Sequence, residues 1–91
     1  MINNFEKKYV YDIEVFPNFF SCIFLDIDTQ QKETFIIFEN RNDTTKLFNF
    51  LNRNIQIIGY NNIYYDGAIL YYILENMSLS TSDLLDNIFR I

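Results

Sequence analysis

The order of two hydrophobic patterns constrains the fold of this chain more than any other feature. Three segments rich in β-branched and aromatic residues come first, at residues 8–16, 19–26 and 33–38, and short polar links separate them. Links of this length do not allow a crossover, so they predict a three-stranded antiparallel meander with Pro17-Asn18 at its first turn. Residues 35–38 are apolar on both faces of their strand, and we therefore expect helices to cover the sheet.

A helical pattern follows the meander. Asn42 and Asp43 supply side chains suited to capping the start of a helix. Downstream of them, Leu47, Phe48 and Leu51 recur at a spacing that predicts the buried face of a helix ending near residue 53.

The remainder of the chain reads as a strand followed by helices. Residues 55–60 have strand composition, and a second helix is predicted from Asp66. The apolar stripe of that helix comprises Ile69, Leu70, Ile73, Leu74 and Met77. Ser80 and Asp83 approximate a capping box before a short last helix over residues 83–89. A strand that follows a helix favours parallel pairing, so the sequence predicts an α/β fold of order β-β-β-α-β-α with one extra helix.

Composition limits the classes of protein to which the chain can belong. Its 91 residues suit one domain, and no run of 18 apolar residues predicts a membrane span. One cysteine and no histidine argue against a disulfide framework or a zinc site, so we expect a reducing, intracellular compartment such as the cytoplasm. The net charge of −5, with scattered basic residues, disfavours tight duplex binding. Divalent metals would reverse the sign of the local charge.

Two groups of residues carry candidate chemistry. Asp12 and Glu14 share one face of the first strand with Val10 and Phe16, and they lie ~6.6 Å apart along it. Such a pair suits either a solvated face or a divalent cation, which prefers oxygen ligands. The second group is centred on Asp66, at the junction of a strand and a helix. There the carboxylate could equally serve as a helix cap.

Together the two groups resemble the 3′–5′ exonuclease domain of family B DNA polymerases, particularly phage polymerases of the protein-primed kind. Tyr11-Asp12-Ile13-Glu14 matches the D-x-E of that family's first exonuclease motif. Asn62-Ile63-Tyr64-Tyr65-Asp66-Gly67 matches the N-x-x-x-(F/Y)-D of its second motif. The element order also agrees, so the resemblance extends over residues 8–74.

The resemblance implies a ribonuclease H-like fold of the DEDD exonuclease class and a site for metal ions. Asp12, Glu14 and Asp66 would be the catalytic carboxylates and would bind Mg²⁺ or Mn²⁺, in a pair that activates water for phosphodiester cleavage. Asn62 and Tyr65 would contact the 3′ end of single-stranded DNA.

The third motif of that family, Tyr-x-x-x-Asp, has no match after Asp66, where the acidic residues are Glu75, Asp83 and Asp86. We therefore expect residues 1–91 to form a single truncated exonuclease-like half-domain that is catalytically incomplete and acts by binding. One alternative is a phage-encoded inhibitor of a host nucleic-acid-targeting defence complex, similar to anti-CRISPR proteins. Another is a metal-dependent exonuclease fragment of a DNA polymerase.

The expected partner is a protein of the replication machinery or of a host defence complex, and not a membrane. Single-stranded DNA is a further candidate partner. The chain is also a candidate homodimer, because its clustered tyrosines, Tyr71 and Tyr72 among them, suit an interface.

Overall fold

A β-hairpin starts the fold in the computed structural model, which describes residues 7–59 and 63–91. Strand β1 spans Lys7–Phe16 and strand β2 spans Phe19–Asp26. The two pair antiparallel from Tyr9↔Asp26 to Phe16↔Phe19, so Pro17 and Asn18 form the turn as predicted. Strand β3, Lys32–Phe38, pairs antiparallel with β2 and completes the predicted meander.

Beyond the meander, the chain adds two strands and three helices within the described residues. Strand β4 is Arg41–Asn42, helix α1 is Thr44–Leu51, strand β5 is Ile55–Gly59, helix α2 is Ile63–Glu75 and helix α3 is Thr81–Phe89. The strands form one mixed sheet of order β4-β3-β2-β1-β5. Because β5 pairs parallel with β1, the prediction of a late parallel strand is confirmed, and so is the mixed α/β class.

The helices cover one face of this sheet. Alternate residues of β1 and β2, such as Tyr9, Tyr11, Cys22 and Phe24, point towards the helices and are buried. The buried apolar residues form one cluster made of Tyr9, Tyr11, Phe20, Cys22, Phe24, Phe35, Ile37, Leu47, Phe50, Ile69, Leu70, Ile73, Leu84, Leu85 and Ile88. The single core therefore lies between the sheet and the three helices.

The opposite face of the sheet, here called the open face, carries no helix among the described elements. The expectation that helices cover apolar residues on both faces is therefore only half correct. Phe16, Phe19 and Phe38 form a row across three strands at one end of this face. Their neighbouring ring centroids are 6.1 Å and 5.9 Å apart. Phe16 and Phe38 are exposed although both are large and apolar.

Helix α1 has a different buried face from the one predicted. Leu47 is buried as expected and Leu51 packs against the core, but Phe48 is 42% exposed, whereas Phe50 is 2% exposed. The reason is that the aromatic ring of Phe50 completes a cluster on the sheet, 4.7 Å from Phe24 and 5.0 Å from Tyr9 between centroids. Packing against those rings overrides the simple spacing pattern.

The start of α1 also departs from the capping expectation. Asp43 is the N-cap residue, yet its side chain makes no capping hydrogen bond. Instead, its carboxylate accepts bonds from the backbone N–H of Ile36 at 3.0 Å and from Arg41 Nε at 2.9 Å. Asn42 Oδ1 accepts from the Thr44 N–H at 3.0 Å. Asp43 therefore joins α1 to β3, and Asn42 does the local capping.

Helices α2 and α3 follow their predicted patterns more closely. Ile69, Leu70 and Ile73 are buried, whereas Met77 lies beyond the end of α2. Ser80 Oγ accepts from the Asp83 N–H at 3.1 Å, so the predicted cap of α3 is present, although the helix begins at Thr81. Asn87 of α3 donates to the hydroxyl of Tyr72 of α2 at 2.8 Å, which fixes the two helices together.

Candidate metal site beside the parallel strands

The candidate site lies where the parallel pair of strands ends. The last paired residues of β1 and β5 are Tyr11 and Gly59. Asp12 and Glu14 come directly after that pair, on the part of β1 that extends past the end of β5. Helix α2 follows β5 in the chain, and Asp66 lies in its first turn.

Asp12 and Glu14 lie on the open face. Both are exposed and alternate with Tyr11 and Ile13, which point towards the helices. The prediction that the two acids share a face with Val10 and Phe16 is confirmed. Across the sheet they pair with Ile23 and Ser21 of β2. Their surroundings are thus partly apolar and open to solvent, which leaves both carboxylates accessible to a cation.

Asp66 has the opposite environment, because it is only 5% exposed. It is the fourth residue of α2, so the helix begins earlier than predicted and Asp66 lies within its first turn rather than at its cap. Burial raises the pKa of the Asp66 carboxyl above its usual value, and the charge of Asp12 raises it further. The charges of the two acids therefore interact in the structure, although the sequence places them far apart and Asp12 projects from the open face.

Two neutral neighbours share this environment. Burial raises the pKa of the Tyr11 hydroxyl, and the charge of Asp66 adds to the effect. Burial also raises the pKa of the Cys22 thiol strongly, with smaller contributions from Asp66 and Asp12. No sequence motif marks Tyr11 or Cys22 as part of the site. Only two features of the sequence could have identified these residues: the alternation of side chains along a strand and the register between neighbouring strands.

The donor set suits a hard divalent cation. Carboxylate oxygens are the ligands that Mg²⁺ and Mn²⁺ prefer, and a cation would offset the repulsion between Asp12 and Asp66. As the side chains stand, no three Asp, Glu, Cys or His residues within ranges 7–59 and 63–91 form a metal-binding group. Asp12, Glu14 and Asp66 are accordingly not gathered into one group.

Of the two residues predicted to contact single-stranded DNA, only Tyr65 belongs to the part of the chain that the structure describes. Asn62 lies outside the described residues. Tyr65 is exposed in the first turn of α2, one residue before Asp66. An aromatic ring at that position is accessible to a ligand that approaches the buried carboxylate.

No protein-family model, curated protein or solved structure matches this chain. Among the described helices, none is long and apolar enough to cross a membrane. The geometry of the site therefore carries the functional argument.

Proposed function

We propose that this chain has a ribonuclease H-like scaffold corresponding to the first half of a family B 3′–5′ exonuclease domain. On that scaffold, Asp12, Glu14 and Asp66 bind a divalent cation. The observation that carries the proposal is the burial of Asp66, whose charge interacts with that of Asp12, one acid from each matched motif. The meander followed by a helix, a parallel strand and a helix supports it as well.

Each carboxylate has a distinct part in this proposal. Asp66 supplies a buried charge that is costly without a counter-ion, because burial disfavours the ionised carboxylate. Asp12 supplies exposed oxygens, and Glu14, two residues further along the same face of β1, supplies the third carboxylate. Tyr65 and Asn62 would hold the end of a single strand beside them. When bound, Mg²⁺ or Mn²⁺ supplies positive charge that attracts a phosphate and polarises its oxygens.

Binding rather than rapid hydrolysis is the activity we expect. The acids after Asp66 are Glu75, Asp83 and Asp86, and none belongs to a Tyr-x-x-x-Asp motif. Asp83 and Asp86 belong to α3, and Asp86 is paired with Arg90 at 3.1 Å. Among residues 1–91 the proposed site has three carboxylates, which hold a cation less rigidly and orient an attacking water less well than four would.

Metal binding can be measured by calorimetric titration with Mn²⁺ and by the thermal stability of the protein in Mn²⁺. A ligand that binds only the folded state raises the unfolding temperature. We expect the wild type to respond, and Asp12→Asn and Asp66→Asn to lose most of the response. Asp86→Asn removes the same charge on α3 and should respond like the wild type. Equal titrations for all four proteins would refute the site.

Nuclease activity needs a separate assay on 3′-labelled single-stranded DNA with Mn²⁺. We expect binding to be detectable and cleavage to stay near the level of Asp12→Ala. Rapid cleavage by the wild type that Asp12→Ala abolishes would show that three carboxylates suffice, and would make the chain an active exonuclease fragment.

The open face favours a second candidate function, namely binding to a basic protein that handles nucleic acid. Its row of Phe16, Phe19 and Phe38 lies next to Asp12 and Glu14, so it combines apolar area with negative charge. Such a surface complements a nucleic-acid channel of a replication protein or of a host defence complex.

Capture of partners from a host lysate with paired variants tests this second function. Phe16 is 52% exposed on the open face, and Phe89 is 49% exposed on α3. Phe16→Ser should lose a nucleic-acid-handling partner that Phe89→Ser retains. Loss of that partner in both variants, or in neither, would exclude the open face.

A further inference from the structure

Strand β5 forms an outer edge of the sheet. It pairs with β1 on one side, and none of the described strands pairs with its other side. An edge of this kind presents a row of backbone N–H and C=O groups that another strand satisfies. The chemistry of the edge therefore specifies its occupant as an extended segment.

The sequence of β5 lacks two common protections of an edge strand, a charged residue and a proline. The strand reads Ile-Gln-Ile-Ile-Gly, and it contains neither a charged residue nor a proline. Edge strands that remain unpaired commonly carry lysine, proline or a bulge. The opposite edge of the sheet differs, because the two-residue strand β4 ends it and includes Arg41.

An apolar groove runs beside β5 on the side that faces the helices. Its volume is about 320 Å³. Its walls include Leu51 of α1, Ile55 and Ile57 of β5, and Leu70, Tyr71 and Leu74 of α2. Tyr71 is 68% exposed at the rim. A strand added to β5 would direct every second side chain to this side of the sheet, so the groove has the right position to receive those side chains.

We propose that two copies of this chain associate through β5, edge to edge and antiparallel, to form one continuous sheet. Strand β5 itself has the properties that the edge requires, since its inward positions Ile55 and Ile57 are apolar and β-branched. A two-fold axis presents identical edges to each other, which is the commonest symmetry of protein dimers. The absence of charge on β5 avoids direct repulsion between two chains that each carry −5.

This interface borders the proposed metal site, because Tyr11 and Gly67 also line the groove, next in sequence to Asp12 and Asp66. Asp12 and Glu14 project from the open face of β1, whereas the groove lies on the helix side of β5. Dimerisation therefore leaves Asp12 and Glu14 accessible on the open face, and association and metal binding are measured separately, so the failure of either proposal is distinguishable from the failure of the other.

Sedimentation velocity over a concentration series measures the association. Tyr71→Lys places a charge at the rim of the groove without disturbing the core, and the introduced ammonium group can pair with Glu75 one turn later. We expect it to weaken the dimer by about tenfold or more, as loss of an aromatic anchor commonly does. Phe89→Lys introduces the same charge at an exposed aromatic of α3 and should not change association. Ile23→Lys introduces a charge on the open face and should also leave association unchanged.

Hydrogen exchange of the wild type gives an independent readout that requires no variant. Amides of Ile55–Gly59 should gain protection as the protein concentration rises, whereas those of Arg41–Asn42 should not. A strictly monomeric protein, or a dimer that Tyr71→Lys leaves intact, would overturn the proposal. A dimer that only Ile23→Lys weakens would also overturn it, and would assign the contact to the open face.

Discussion

The carboxylate of Asp26 holds the turn between β2 and β3 together. It is buried and accepts hydrogen bonds from Lys7 Nζ at 3.0 Å and from the N–H groups of Asp28 and Thr29 at 2.9 Å and 3.2 Å. These bonds favour the ionised form, so the Asp28 N–H first and Lys7 second lower the pKa of Asp26 from 3.8 to about 2. Asp26 is thus a structural residue rather than part of the candidate site.

A lowered pKa makes this residue a source of acid sensitivity. The stabilisation is complete above the unfolded-state pKa of 3.8 and is lost as the pH falls through the folded-state value of about 2. We expect Asp26→Asn to lower the unfolding temperature by several degrees at pH 7 and to flatten its decline below pH 4. Unfolding curves recorded across this range measure both effects.

The variant Asp28→Asn is the matched control for Asp26→Asn, because Asp28 lies in the same turn but is exposed. It should resemble the wild type. Wild-type and Asp26→Asn curves that stay parallel from pH 7 to pH 2 would contradict the assignment.

Asp66 changes the pH dependence of stability in the direction opposite to Asp26. Its pKa is raised by burial and by Asp12, so the folded state holds the proton more tightly than the unfolded state does. Stability therefore falls as the pH rises from the unfolded-state pKa of 3.8 through the raised pKa of the folded state. In buffer free of divalent cations, we expect Asp66→Asn to unfold a few degrees higher than the wild type at pH 7.

The gain from Asp66→Asn should disappear below pH 4, where the wild-type carboxyl is protonated. Asp12→Asn should give a smaller gain, because it removes only the second cause of the raised pKa. Thermal unfolding in a chelating buffer measures both effects. A loss of stability in Asp66→Asn at pH 7 would show that the ionised carboxylate stabilises the fold.

Helix α1 provides the clearest test at the scale of one element. Phe50 contacts Tyr9, Phe24 and Phe35 with ring centroids 4.7–5.2 Å apart, and Arg53 lies over its other side at 5.3 Å. We expect Phe50→Ala to cost about 3–5 kcal/mol, the usual cost of truncating a buried aromatic residue. Phe48→Ala on the same helix should cost less than ~0.5 kcal/mol, since Phe48 is exposed.

Chemical denaturation of the two variants measures this difference. Similar losses would mean that α1 is rotated about its axis and that the spacing pattern, which selects Phe48, describes its buried face.

The elements that the sequence predicts well are those whose signals are local. The meander depends on strand-forming segments with short links, and α3 depends on the Ser80 cap; both are confirmed. Asp12 and Glu14 share a face because side chains alternate along any strand. These features need no knowledge of the rest of the chain.

Features that depend on distant partners escaped prediction. Phe50 is buried because β1, β2 and β3 place aromatic rings under it, and this arrangement exists only after the sheet forms. The side chain of Asp43 joins β3 instead of capping α1 for a similar reason. Strand β4 consists of two residues and has no pattern of its own. The electrostatic interaction between Asp12 and Asp66 was suggested only by a resemblance to a known family.

At the scale of the whole molecule, helices protect only one side of the sheet. The described chain has a buried helix-side core, an open face with a row of phenylalanines, and an uncharged edge at β5. A small protein with two such apolar surfaces needs a repulsive interaction that keeps its molecules apart. Its net charge of −5 supplies one, because like-charged molecules repel each other.

This repulsion predicts how association depends on salt. The proposed contact through β5 is apolar and uncharged, so salt acts mainly on the mutual repulsion of two acidic chains. Screening shortens the reach of that repulsion from about 30 Å at 0.01 M to about 8 Å at 0.15 M ionic strength. We therefore expect the dissociation constant of the dimer to fall several-fold over this range, as measured by sedimentation velocity. A dissociation constant that rises with salt would contradict this uncharged contact and would indicate an interface held by opposite charges.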